Sequence, residues 1–285
     1  MTHRKRAPLR LALTAVLCHT LAYGSQPNGL TQASQTATSI AAADTALHPA
    51  TRPDTGQHFT AAPQLALNRQ AHQFVHQYLS ENEYALQKIK KRSTPYFRIM
   101  EMVLKKHRLP LQLKYLAVTE SGLNAGRTSK KGAAGPWQLM PHTAIELGLK
   151  VDSLTDERTH YTKSTTAAAR YLKHLHSLFD DWLLTVAAYN GGPGTVYKAI
   201  RKSGSRNFWQ LQHHLPAETR QHVKRFIGIH YFFEAEGSEL VFTKGEWMQY
   251  QNELLAYHQW KAAQEDTLMQ ATAETAAKTV SVKEQ

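Results

Sequence analysis

The residues best suited to chemistry lie between Leu113 and Pro141, in the stretch LKYLAVTESGLNAGRTSKKGAAGPWQLMP. Glu120 closes an apolar run containing Tyr115, Leu116 and Val118, a small polar loop follows, and Trp137, Gln138, Leu139 and Met140 come after it. This order puts one carboxyl at the rim of a core, facing a cleft. Loss of solvent disfavours the charged carboxylate and raises its pKa. A Glu kept protonated near neutrality can act as a general acid on a leaving oxygen and, once deprotonated, as a base. By itself a Glu at a helix end is more often an exposed side chain than a catalyst, so the reading depends on its surroundings. No further acid appears until Glu146. The 16 histidines offer no metal site: His213 and His214 are adjacent, and His174 and His176 lack the i, i+4 spacing of a zinc helix. We expect neither metal nor cofactor.

The elements that must hold this stretch are helical. Leu65, Phe74, Val75, Tyr78 and Leu79 recur at helical spacing, followed by Tyr84, Leu86 and Ile89, and Pro95 opens a second run through Leu104. Leu109-Pro110 ends that run, and the helix carrying Glu120 begins. Pro141 suits the first turn of a short helix ending at Gly148. Thr162 to Phe179 is the clearest amphipathic segment. A helix from Trp182 to Tyr189 stops at Asn190-Gly191-Gly192-Pro193-Gly194, another runs from Thr195 to Lys202, and Pro216 starts one more. Strand signals are confined to Leu240-Val241-Phe242, so the expected fold class is all α.

The 285 residues, 42% apolar with five Trp, suffice for one sizeable core. A net charge of +12 favours polyanionic surroundings, whether nucleic acid, anionic lipid or an acidic wall polymer. Scattered basic residues without a nucleic-acid motif argue against nucleic acid. Arg4, Lys5, Arg6 and Arg10 precede an apolar run from Leu11 to Leu17, and Ala22-Tyr23-Gly24 has the small residues of a cleavage site. Residues 1–24 therefore read as a secretory signal peptide, too short to span a membrane, whose removal would lower the charge from +12 to +8. Lipid anchoring at Cys18, the sole cysteine, is disfavoured because Leu17 precedes it. Residues 25–62, rich in Ser, Thr, Ala, Gln and Pro, read as a flexible linker. The expected location is the periplasm or cell envelope of a bacterium, with peripheral membrane association compatible with the absence of a further span-length apolar segment.

Three blocks in order carry a resemblance. Glu120-Ser121, with Ser129, Gly132-Ala133-Ala134-Gly135 and Trp137-Gln138-Leu139-Met140-Pro141, is followed by Ala187-Ala188-Tyr189-Asn190-Gly191-Gly192 and by Pro216-Ala217-Glu218-Thr219-Arg220. Together they resemble the lysozyme-like lytic transglycosylases with an SLT domain. The resemblance covers about residues 64 to 234, within a catalytic domain drawn at 63–236 and a helical extension and tail at 237–285. It implies a goose-type helical fold acting on peptidoglycan glycan strands, with a single Glu, Glu120, as acid and base. It also implies that Tyr189 orients Glu120, and that Ser129 and Gln138 bind acetamido groups and muramic acid. Met140 would be an apolar wall or an ordinary core residue, and Asn190 would shape the site or cap its turn. Glu218 would position substrate or Tyr189, unless it is only an acid favoured by a helix's first turn. Relatives often have Tyr where this chain has His222, which reads as a core substitution in preference to an altered sugar subsite. The competing functions are a hydrolytic goose-type muramidase and an inactive glycan-binding scaffold, with other envelope proteins as further partners.

Overall fold

The computed structural model describes residues 59–283, with side chains to 275; the signal peptide, Cys18 and most of the linker lie outside the described residues. The described chain is all α. It contains α1 (Arg69–Lys106), α2 (Lys114–Ser121), α3 (Pro141–Glu146), α4 (Tyr161–Phe179) and α5 (Trp182–Gly191). α6 (Pro193–Ser203), α7 (Phe208–Leu211), α8 (Ala217–Glu234) and α9 (Lys244–Lys283) follow. Among the described residues the only β pairings are three isolated bridges, two of them in the loop after Glu120.

α5 is the axis of the core. Every residue from Trp182 to Ala188 is buried, as a helix apolar on all sides requires, and α4, α6 and α8 pack around it. Asp181 caps its start by accepting from Leu184 N at 3.0 Å, while its second carboxylate oxygen accepts from Lys244 N at 2.8 Å. Burial pushes the Asp181 carboxyl up from its ordinary value, partly offset by these donors. The same group thereby fastens the start of α9. Leu240, Val241 and Phe242, which carry the one strand-like signal, instead form a buried turn within the apolar core. Residues 240–243 thus pack as part of the helical core, and the exposed length of α9 begins beyond Trp247.

Pro95 does not open a second helix: α1 continues through it for 38 residues. An interior proline removes one helical hydrogen bond and costs about 3 kcal/mol. The cost is tolerated because α1 packs along both α4 and α8, with Met100 and Leu104 fully buried and Tyr96 stacked on Tyr161 at 4.6 Å. α8 buries Val223, Phe226, Ile227, Ile229 and His230. His230 Nε2 meets Ser238 Oγ at 2.8 Å and its Nδ1 has no partner. Burial lowers the imidazole from 6.5 to about 4.

A histidine held neutral in the fold but free to protonate when unfolded stabilises the fold above pH 6.5. That contribution is lost as the pH falls from 6.5 toward 4, because only the unfolded chain takes up the proton there. The shift corresponds to about 3 kcal/mol. Urea unfolding followed from pH 7 to pH 4 should show this loss in the wild type and a flatter slope in His230→Gln; parallel slopes would refute the assignment.

Candidate active site

Glu120 stands in the last turn of α2. The helix ends at Gly122, whose φ of +63° provides the left-handed exit. Ser121 ties that end to the following loop: its Oγ donates to Pro136 O at 2.9 Å and accepts from Asn124 N at 3.1 Å. Ala134 exchanges both backbone bonds with Leu139, and Gly135 N donates to Arg127 O, which folds the loop back on itself. Gly135 has φ +82°, and a Cβ there would lie 1.9 Å from Arg158 O, so no other residue fits.

Arg158, 6% exposed, was not foreseen and holds the loop from beneath. Its Nη1 donates to Gly132 O at 2.7 Å and Leu139 O at 3.0 Å, while Nε and Nη2 form a two-pronged pair with Asp156. That guanidinium holds the Asp156 carboxyl below its usual range. Nothing in the local sequence marks Arg158, because its partners are backbone carbonyls 19 and 26 positions away.

The seven expected site residues, Glu120, Ser129, Gln138, Met140, Tyr189, Asn190 and Glu218, all line one cleft of about 860 Å³, a volume within the range of ligand sites. Their roles differ in detail from the sequence expectation. Tyr189 does not hydrogen-bond Glu120; its hydroxyl donates to Trp137 O at 2.8 Å and so pins the loop that carries Gln138 and Met140. Burial, and then the Glu120 charge, push the Tyr189 phenol well above its ordinary value, so it remains a donor. Gln138, at φ +45°, spends its amide N–H groups on Arg127 O and Gly135 O. Its amide oxygen is the group left for a ligand, an acceptor suited to an N–H. Ser129 Oγ accepts from Ala133 N, leaving its own proton to donate. Met140 is 42% exposed in the wall of the cleft.

Asn190 does not cap its helix, since Gly192 takes that place. Gly191 lets α5 meet α8 closely: a Cβ there would lie 2.7 Å from Thr219 Oγ1. Glu218 sits in the first turn of α8, exposed, 3.5 Å from Lys131. The partner of Glu120 is His222: Nε2 lies 2.9 Å from Glu120 Oε1, and both side chains are largely buried. His222 is thus more than the core substitution expected from sequence. Arg127, Lys130, Lys131 and Arg225 give the cleft a cationic rim.

This arrangement presents one shielded carboxyl with a hydrogen-bonding wall, and the second lining carboxylate, Glu218, is exposed and paired. It can deliver a proton to a ligand oxygen and recover one. Gly135→Ala should lower unfolding stability by about 3 kcal/mol or more, because the new methyl overlaps backbone and φ is positive. A denaturation midpoint equal to the wild type would contradict this seating of the loop.

Residues 99–212 match the family model for the transglycosylase SLT domain. The chain is 40% identical over 157 residues to membrane-bound lytic murein transglycosylase D of Escherichia coli (strain K12), covering 53% of this chain and 34% of that protein. It therefore spans about a third of the length of that relative. Among solved structures, the 70 kDa soluble lytic transglycosylase of Escherichia coli aligns with TM-score 0.48 and 20% identity, over 62% of this chain and 32% of that one. The lytic transglycosylase Slt of Pseudomonas aeruginosa aligns with TM-score 0.45 and 24% identity, over 51% and 26% of the respective chains.

Proposed function

We propose that this chain is an exported transglycosylase of the SLT-domain kind, cleaving the β-1,4 bond between N-acetylmuramic acid and N-acetylglucosamine in peptidoglycan; the SLT-domain match over residues 99–212 and the 40% identity to a lytic murein transglycosylase support this reading. The observation that carries this reading is the single shielded carboxyl of Glu120 in a cleft whose other acid, Glu218, is exposed and beside Lys131. Glycosidases that rely on two carboxylates need both facing the scissile bond. A lone acid suits a reaction in which the substrate supplies its own nucleophile.

In that reaction Glu120 donates its proton to the glycosidic oxygen as the bond from C1 of the muramic acid to that oxygen breaks. The 6-hydroxyl of the same sugar attacks C1, and its proton passes to the Glu120 carboxylate. The glycan leaves with a new hydroxyl, the muramic acid closes as a 1,6-anhydro ring, and Glu120 returns to its starting form without consuming water. The Gln138 amide oxygen is suited to accept from an acetamido N–H, and Ser129 Oγ to donate to a sugar oxygen. Met140 offers an adaptable apolar surface. The cationic rim suits the carboxylates borne by muramic acid and its peptide stems. Export rests on the N-terminal residues 1–24, which read as a secretory signal.

Mass spectrometry of products released from purified peptidoglycan tests this reading. The wild type should yield anhydro-muropeptides, and Glu120→Gln should be slower by about 100-fold or more. Products one water heavier, with reducing ends, would identify a hydrolytic muramidase. Glycan binding without cleavage by the folded wild type would identify a scaffold.

A further inference from the structure

The His222 ring has two nitrogens in unlike situations. Nε2 lies 2.9 Å from Glu120 Oε1, whereas Nδ1 is buried without a hydrogen-bond partner. A proton on Nδ1 would be an unsatisfied buried donor, which costs more than an unpaired lone pair. The ring therefore carries its proton on Nε2 and donates it to Glu120. No other hydrogen bond reaches the Glu120 carboxyl among the described residues, since Tyr189 is committed to Trp137 O.

We infer that His222 is a positioning residue for the acid: by donating from Nε2 to Oε1 it fixes the carboxyl plane and reserves Oε2 as the oxygen that gives and recovers the proton. This rests on the role of Glu120 proposed above. With Oε1 occupied as an acceptor, the acidic proton resides on Oε2. After that proton has gone to the glycosidic oxygen, the Nε2–H bond to Oε1 becomes charge-assisted and strengthens, which favours the state formed during bond cleavage over the state before it. The ring is held for this task by the surrounding α8 core: His222 is 2% exposed, next to buried Val223 and one turn from buried Thr219 and Phe226. Thr219 in turn lies against Gly191, at the end of the helix bearing Tyr189.

The experiment uses the wild type, His222→Phe and His222→Gln, with Glu120→Gln as the reference for loss of the acid. His222→Phe keeps the ring volume and loses the donor; its kcat should fall about 100-fold with KM close to the wild type, as misplacement of a reacting group does. His222→Gln restores an N–H donor without an imidazole and should recover about tenfold of that loss. Nitrogen-15 spectra of the histidine rings, with His222 assigned by its disappearance in His222→Gln, should show a neutral ring protonated at Nε2. The inference is overturned by a proton on Nδ1, by a His222→Phe enzyme with wild-type kcat, or by a His222→Gln enzyme no better than His222→Phe. If His222→Phe does not fold, the spectra and a His222→Gln enzyme within about tenfold of wild-type kcat support the assignment, and a larger loss opposes it. The spectra are independent of cleavage: retained activity in Glu120→Gln would remove the proposed acid, whereas an Nδ1–H ring would remove only the role of His222.

Discussion

An irregular loop can be packed against an apolar core only if its backbone polar groups find partners there, because an unpaired buried carbonyl or amide costs about as much as a lost hydrogen bond. The loop after Glu120 meets that condition with side chains from two distant places and one at its own start. Arg158 caps Gly132 O and Leu139 O, Tyr189 caps Trp137 O, and Ser121 caps Pro136 O. With its backbone satisfied, the loop can bury Trp137 completely and present Gln138 and Met140 on its opposite side. The position of the cleft wall relative to Glu120 follows from these bonds.

The same economy explains why α5 is central. It is too apolar to face water on any side, so it recruits α4, α6 and α8 around it, and its end delivers Tyr189 and Asn190 to the cleft. α8 then brings His222 to Glu120 and Glu218 to Lys131 with one helix. Core packing and site geometry are therefore not separable here: the close approach of Gly191 to Thr219 is a packing contact, yet it sets how near the Tyr189 end of α5 comes to the His222 face of α8.

Polar groups within the core are arranged for single jobs. Asp181 joins the starts of α5 and α9 through two backbone amides, and it draws residues 240–247 onto the domain even though the rest of α9 is largely exposed. His230 remains neutral against Ser238 and the Tyr115 ring. Tyr115 in turn donates to Glu234, the last residue of α8, linking the helix of the acid to the helix of its histidine partner at the far end from the site.

The sequence by itself determined the all-α class and most helix positions, and it named seven residues that the fold gathers around one cleft. These are properties of local periodicity, of turn chemistry such as Pro141 and Gly192, and of motif blocks whose residues keep their order along the chain. It misjudged Pro95, because the packing that supports an interior proline comes from α4 and α8 and not from neighbours in sequence. Only the tertiary structure decided which donor meets which acceptor. Tyr189 reaches across 52 positions to Trp137, Arg158 reaches back 26 to Gly132, and His222 lies 102 positions from Glu120. A side chain's hydrogen-bonding capacity is written in its type, but its partner is set by which surfaces the core brings within about 3 Å, and that distance exists only once the chain has folded.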